Sequence, residues 1–125
     1  LGVRIPLATV TLSVLVSGLV FLASVRLYAV EGESMAPALH PGQVVLVTSL
    51  PFLWSPPRPG DIVVAESPDG GGRLLVKRLV AHDTEGLLVL MGDNSDRSID
   101  SRHFGGIPPT GILGKVVLVG ARNHR

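Results

Sequence analysis

The sequence of 125 residues predicts a mostly-β chain with one N-terminal membrane-spanning helix, and three observations predict it. The stretch from Ile5 to Val25 runs 21 residues without a charged side chain. Beyond it, five short aliphatic runs are separated by Gly and Pro, the punctuation of strands. No window after residue 30 carries a helical period in its apolar residues.

The first run makes roughly 31 Å of helix, about the thickness of a bilayer's hydrocarbon core. Arg4 and Arg26 bracket it, Pro6 falls near the helix start where a missing N–H costs little, and Tyr28 suits an interface. A cleavable signal peptide has an apolar region of only about 7–15 residues, and Leu27-Tyr28-Ala29 puts a bulky Leu where cleavage needs a small residue. Residues 1–29 therefore read as a membrane anchor, with its helix over about 5–27, and residues 30–125 as a separate β domain. One Arg on each side leaves the positive-inside count tied.

The remaining runs are QVVLVT from Gln43, DIVVAE from Asp61, LLVKRLVA from Leu74, LLVLMG from Leu87 and KVVLVG from Lys115. Each has the length and β-branched content of a strand. His40-Pro41-Gly42, the Pro68 to Gly72 stretch and Gly105 to Pro109 supply turns, and Ser55 to Gly60 a longer Pro-rich connection. Residues 31–125, 95 in all, carry 19 of the 21 charges, close to the usual charge density of a globular domain. A net charge of +1 without a basic run excludes the electrostatic footprint of a nucleic-acid binder. Absent Cys excludes disulfides, thiolate metal sites and a cysteine nucleophile.

Three places hold polar residues that strand and turn chemistry do not require. Ser34 stands in Glu31 to Leu39, just after the span, followed by Met35 and then Pro37. Lys77, one of two lysines against nine arginines, lies in an aliphatic run. Gly92 to Arg102 is densely polar directly after a strand. Singly, these read as a turn serine, a solvent-facing lysine and a polar loop. Together they meet the needs of one chemistry, because a Ser hydroxyl attacks well only when a base takes its proton, and there is no obvious Ser/His/Asp arrangement. A lysine whose burial lowers its pKa can be that base.

These stretches, in this order, resemble the signal peptidase I family of membrane-bound serine proteases. Gly32 to Leu39 resembles the family's GxSMxPTL box, Gly60 to Val64 its GDIV box, Lys77 to Val80 its KRV box, and Gly92 to Arg102 its GDNSxxSxDSR box, the most specific of the four. The resemblance implies a small, LexA-like catalytic domain of coiled antiparallel sheets, without cofactor or metal. It implies Ser34 as nucleophile and Lys77 as general base of a Ser-Lys dyad working through an acyl-enzyme, with the Ser34 N–H in the oxyanion hole. Ser98 matches the serine that orients the lysine, and Asp100 and Arg102 a structural pair. Asp93 and Asn94 are expected to shape the loop, Met35 and Pro37 the turn. Leu39, Val76 and Met35 are candidate liners of pockets for small substrate side chains. The implied partners are precursor proteins with signal peptides and membrane lipid, with the catalytic domain on the outer face of a bacterial plasma membrane or, alternatively, a mitochondrial inner membrane.

The departures are informative. Gly32 stands where some members carry a Ser that completes the oxyanion hole, Ala38 replaces the usual Thr, and Ala81 to Gly86 turns back directly where the family often has a long β insertion. His40, His82, His103 and His124 lack metal-ligand spacing. Pro51 to Trp54 holds two of the five aromatics, either as a satellite cluster or as a membrane-contacting edge. Alternatives to a general signal peptidase are a dedicated maturation protease of the same family and a non-catalytic, membrane-tethered module that binds signal peptides. A self-cleaving LexA-type repressor needs a DNA-binding motif where this chain has its apolar span.

Overall fold

The computed structural model describes residues 2–122. Helix α1 spans Leu7–Ser24, begins directly after Pro6, and has a mean hydropathy of 2.1 with no residue buried. It is long and apolar enough to cross a membrane. The helix is shorter than the expected 5–27, and residues 25–29, assigned from the sequence to the anchor, lie in a strand. Val25–Ala29 forms strand β1, whose five residues all pair with β2, Val44–Thr48. Two local features stop the helix. Val25 turns extended while its N–H still bonds to Phe21, and Arg26 folds back so that its Nη1 donates to the carbonyls of Ala23 (2.7 Å) and Val25 (3.0 Å).

The other strands are β3 (Ile62–Glu66), β4 (Leu74–His82), β5 (Leu88–Met91) and β6 (Ile112–Val119). They form one six-stranded antiparallel sheet in the order β1-β2-β6-β3-β4-β5. Register shifts in β2–β6, β3–β6 and β4–β5 mark bulges, which add local twist. The expected all-β domain gains one short helix, α2 (Ser101–Phe104), and three 3₁₀ turns. The turn at 83–87 closes β4 onto β5 with Gly86 at φ 82°, so no insertion interrupts the sheet.

Strand alternation sends neighbouring side chains to opposite faces, and β3 shows the result. Val64 packs with Val30, Met35, Leu39, Val45 and Val47, whereas Val63 and Ala65 pack with Leu79, Leu88, Leu90 and Ile107. Leu39, an expected pocket liner, is fully buried in the first cluster and does not line the cavity described below. Lys77 pairs with Val63 and follows the parity of Leu75 and Leu79, which turns its long side chain inward.

Leu90, with no exposed surface in the second cluster, tests this packing. Leu90→Ala should lower unfolding free energy by about 2–5 kcal/mol in urea titration. Leu113→Ala, at a site 38% exposed, should cost less than half as much.

Candidate active site

A cavity of about 520 Å³ opens between the segment after β1 and strand β4. Ser34, Met35, Val76 and Lys77 all line it, which brings two of the three expected pocket residues to the same space as the expected dyad. Met35 is almost fully buried there.

The segment bearing Ser34 follows a turn at Gly32, whose φ of 72° a side-chain-bearing residue rarely adopts. The Ala36-Pro37 peptide is cis. The loop after β5 grips this segment from the other side. Asn94 donates its backbone N–H to the Ser34 carbonyl (2.9 Å) and its Nδ2 to the Glu33 carbonyl (3.1 Å). Ser34 is thereby held through its carbonyl, and its own N–H donates to no other group among the described residues. Asp93, one residue before Asn94, accepts a two-pronged ion pair from Arg78 Nε (2.9 Å) and Nη2 (2.8 Å), and Arg78 Nη1 donates to the Gly60 carbonyl. Loop, strand β4 and the start of β3 are thus fixed to one another beside Lys77. No role is assigned to Arg78 from the sequence, yet its place next to Lys77 and its ability to fork onto a carboxylate are the signals.

The opposite end of the same loop holds the lysine. Lys77, only 5% exposed, donates from Nζ to Ser98 Oγ at 3.1 Å. Ser98 Oγ in turn donates to Asp100 Oδ2 at 2.6 Å. Asp100 is fully buried and also accepts from the Gly92 N–H (2.8 Å) and from Arg102 through its N–H (3.1 Å), Nε (2.9 Å) and Nη2 (2.6 Å). Its side chain and that of His103 form a reciprocal cap at the start of α2.

The electrostatics follow from these contacts. Burial favours the neutral acid at Asp100, but the hydrogen bonds from Arg102, Ser98 and Gly92 outweigh it and hold the carboxyl well below the usual carboxylate range. Burial likewise disfavours the charged form of Lys77. Asp100 opposes that effect, Arg102 and Arg73 reinforce it, and the lysine pKa falls below its ordinary value. An ionised Asp100 can only accept, so the Ser98 proton points to it and the Ser98 oxygen must accept from Lys77. A neutral Lys77 amine then has an N–H engaged with Ser98, and its lone pair takes no part in that bond.

Gly92 sits where this network is tightest. A Cβ there would collide with Ser98 Oγ and stand 2.5 Å from the Ser34 carbonyl oxygen. His82 and His103 join no metal-binding cluster, nor does any group of acids among the described residues; His124 lies outside them.

The family described as "Signal peptidase, peptidase S26" matches this chain over residues 4–85 and 82–120. Among curated proteins, the "Mitochondrial ATP-independent inner membrane protease subunit 1b" of Arabidopsis thaliana is 31% identical over 108 residues, 69% of this chain and 64% of its own. The "Mitochondrial inner membrane protease subunit 2" of Schizosaccharomyces pombe is 32% identical over 110 residues, 72% of this chain and 61% of its own. The "Mitochondrial inner membrane protease subunit 1" of Xenopus tropicalis is 30% identical over 107 residues, 70% and 64% respectively. The chain spans less than two thirds of the length of each of these relatives.

Two variants test the geometry. Gly92→Ala should destabilise the fold by about 1–3 kcal/mol in urea titration, because the added carbon must displace Ser98 or the Ser34 backbone. Lys77→Met tests the burial of the lysine. The unfolded chain binds the Lys77 proton more tightly than the folded one, so the lysine costs stability below its folded pKa, and the cost fades as pH rises toward 10.5. Urea titrations of Lys77→Met should therefore show a gain over wild type at neutral pH that shrinks toward pH 10; a gain that grows with pH contradicts this.

Proposed function

The chain belongs to the signal peptidase, peptidase S26, family, and on that premise we propose that it is a membrane-anchored serine endopeptidase that removes N-terminal signal peptides from exported precursors after small residues. The observation that carries the chemistry is the lysine pair of contacts: Lys77 lines the cavity with Ser34 while its amine is tied to Ser98. In this reading Ser34 Oγ attacks the scissile carbonyl carbon as neutral Lys77 takes the hydroxyl proton. The Ser34 N–H, left without another partner, donates to the developing oxyanion. Collapse of the tetrahedral intermediate breaks the C–N bond, and the Lys77 ammonium returns the proton to the leaving amine. A water then attacks the acyl-enzyme ester with Lys77 again as base, which frees the acid and restores the Ser34 hydroxyl.

Gly32 brings no side-chain donor to the oxyanion, so backbone donors carry that role in this segment. Asp100 and Arg102 support the lysine through Ser98, and Asp93 and Asn94 support the serine. Met35 and Val76 border the space for a small substrate side chain. The anchor is read as a single pass with the catalytic domain on the trans side. Of the bacterial plasma membrane and the mitochondrial inner membrane, the relatives' names carry the second. The short turn at 83–87 favours a second reading, a dedicated maturation protease acting on few precursors, because it leaves less surface beside the site for substrate recognition.

With full-length protein in detergent and a precursor carrying an Ala-x-Ala site, Ser34→Ala and Lys77→Ala should each lose about 10³-fold or more in kcat. Full cleavage by either variant, or none by wild type, overturns the dyad. Ser98→Ala should lower kcat by about 10–100-fold with little change in KM, since it releases the base without touching substrate. The kcat/KM of wild type should rise with pH through a lysine pKa below 10.5, as neutral amine replaces ammonium.

A further inference from the structure

Every hydrogen-bonding group of Asp100 is engaged, and one of its partners is an imidazole. The carboxylate takes five donors on two oxygens: the Arg102 N–H and Nε on Oδ1, and the Gly92 N–H, Ser98 Oγ and Arg102 Nη2 on Oδ2. The Asp100 carbonyl accepts from the N–H groups of His103 (2.8 Å) and Phe104 (3.1 Å). The Asp100 N–H donates to His103 Nδ1 at 3.3 Å, which closes the reciprocal cap of α2. Arg102 stays charged, Ser98 and the backbone groups have no proton to lose in water, and the carboxyl is held well below the usual carboxylate range. The imidazole is the exception, because this side chain in water changes charge at about pH 6.5. His103 is exposed, so solvent protons reach it.

The cap requires one state of that ring. Nδ1 accepts only while it carries no proton, so a neutral His103 has its proton on Nε2. In the imidazolium both nitrogens donate, and the Asp100 N–H would then face a second donor. The carboxylate offers the imidazolium no free place. Its two oxygens have about four lone-pair sites and already take five donors, so the ring gains one only by displacing Arg102, Gly92 or Ser98. The cap is also faced by Arg102 on α2 itself and by Asp96 in the turn before it, whose charge acts on Arg102. Strand β5, on which α2 packs, carries no charged residue. Asp83, in the turn beyond, places Oδ2 3.3 Å from the position of a Cβ on Gly106. None of these groups bonds to the Asp100 N–H in place of the ring.

His103, Asp100, Ser98 and Lys77 thus form one continuous chain of hydrogen bonds from solvent to the cavity. We propose that His103 is a positioning residue for Lys77: its neutral ring seats Asp100 so that Ser98 holds the amine, and protonation of the ring releases that hold and lowers activity in mild acid. Two protons then switch the site off, one on the base and one on the ring that positions it. The inference rests on the Ser-Lys reading of the site.

The test uses full-length protein in detergent and the Ala-x-Ala precursor. Log kcat/KM should rise with pH at a slope of about 1 above neutrality, from Lys77 alone, and steepen toward about 2 below about pH 6.5. His103→Gln supplies an acceptor oxygen that takes no proton, as Gln does in other capping boxes. It should restore kcat to within about twofold of wild type at pH 7.5 and hold the slope at about 1 throughout. His103→Phe, without an acceptor, should lower kcat by about 2–10-fold at pH 7.5 with KM unchanged. A slope of 1 down to pH 5 in wild type, equal losses in the Gln and Phe variants, or an effect confined to KM overturns the proposal. Lysine labelled with ¹³C at Cε gives a readout that needs no activity. The resonance lost in Lys77→Arg should move in step with the imidazole Hε1 signal that His103→Gln removes, and should stay still over that pH range in His103→Gln. A Lys77 resonance that stays still in wild type overturns the proposal even where cleavage is normal. A resonance that moves in protein without any cleavage supports the positioning chain and counts against the dyad alone.

Discussion

The carboxylate of Asp100 is the point on which the geometry around the cavity depends. It is fully buried, and a buried charge survives only with partners that replace its hydration. Arg102 supplies the opposite charge with two side-chain nitrogens, and Gly92, Ser98 and the Arg102 N–H complete the set. Each of these bonds has a structural effect. The Gly92 bond ends β5, the Arg102 backbone bond starts α2, and the Ser98 bond fixes the direction of a hydroxyl proton. Because Arg102 balances the charge of Asp100, Lys77 meets a nearly neutral pair, and desolvation decides its protonation.

A single loop therefore sets both halves of the proposed dyad. Residues Gly92 to Ser98 hold Ser34 at one end through Asn94 and Lys77 at the other through Ser98, while Arg78 clamps Asp93 to the strand that carries the lysine. Gly92 is needed because the Ser34 carbonyl and Ser98 leave no room for a Cβ. This accounts for the dense polarity of a segment that follows an aliphatic strand: its side chains bind backbone and charges within the protein more than they face water.

Much of this was legible in the sequence, and the misses have physical causes. The five aliphatic runs became strands near their expected limits, and the four boxes carry the residues that meet around the cavity. Strand β1 was hidden because its Val, Leu and Ala continue the apolar run of the helix, and only the pairing with β2 distinguishes strand from span. Its alternation of Val25, Leu27 and Ala29 with Arg26 and Tyr28 was the available signal. Helix α2 is four residues long, too short for any period, and rests on the Asp100 cap. Leu39 was misassigned because a position in a motif does not reveal which way a side chain points, and here it points into the core.

The central claim is that Lys77 is held as a buried amine of lowered pKa by a chain that ends on an ionised Asp100. The chain contains two lysines, Lys77 and Lys115, so protein labelled with ¹³C at lysine Cε gives two resonances to follow by NMR as pH is raised. The resonance that disappears in Lys77→Arg should titrate below the usual lysine value of about 10.4. A Lys77 resonance that titrates at or above that value would contradict the account.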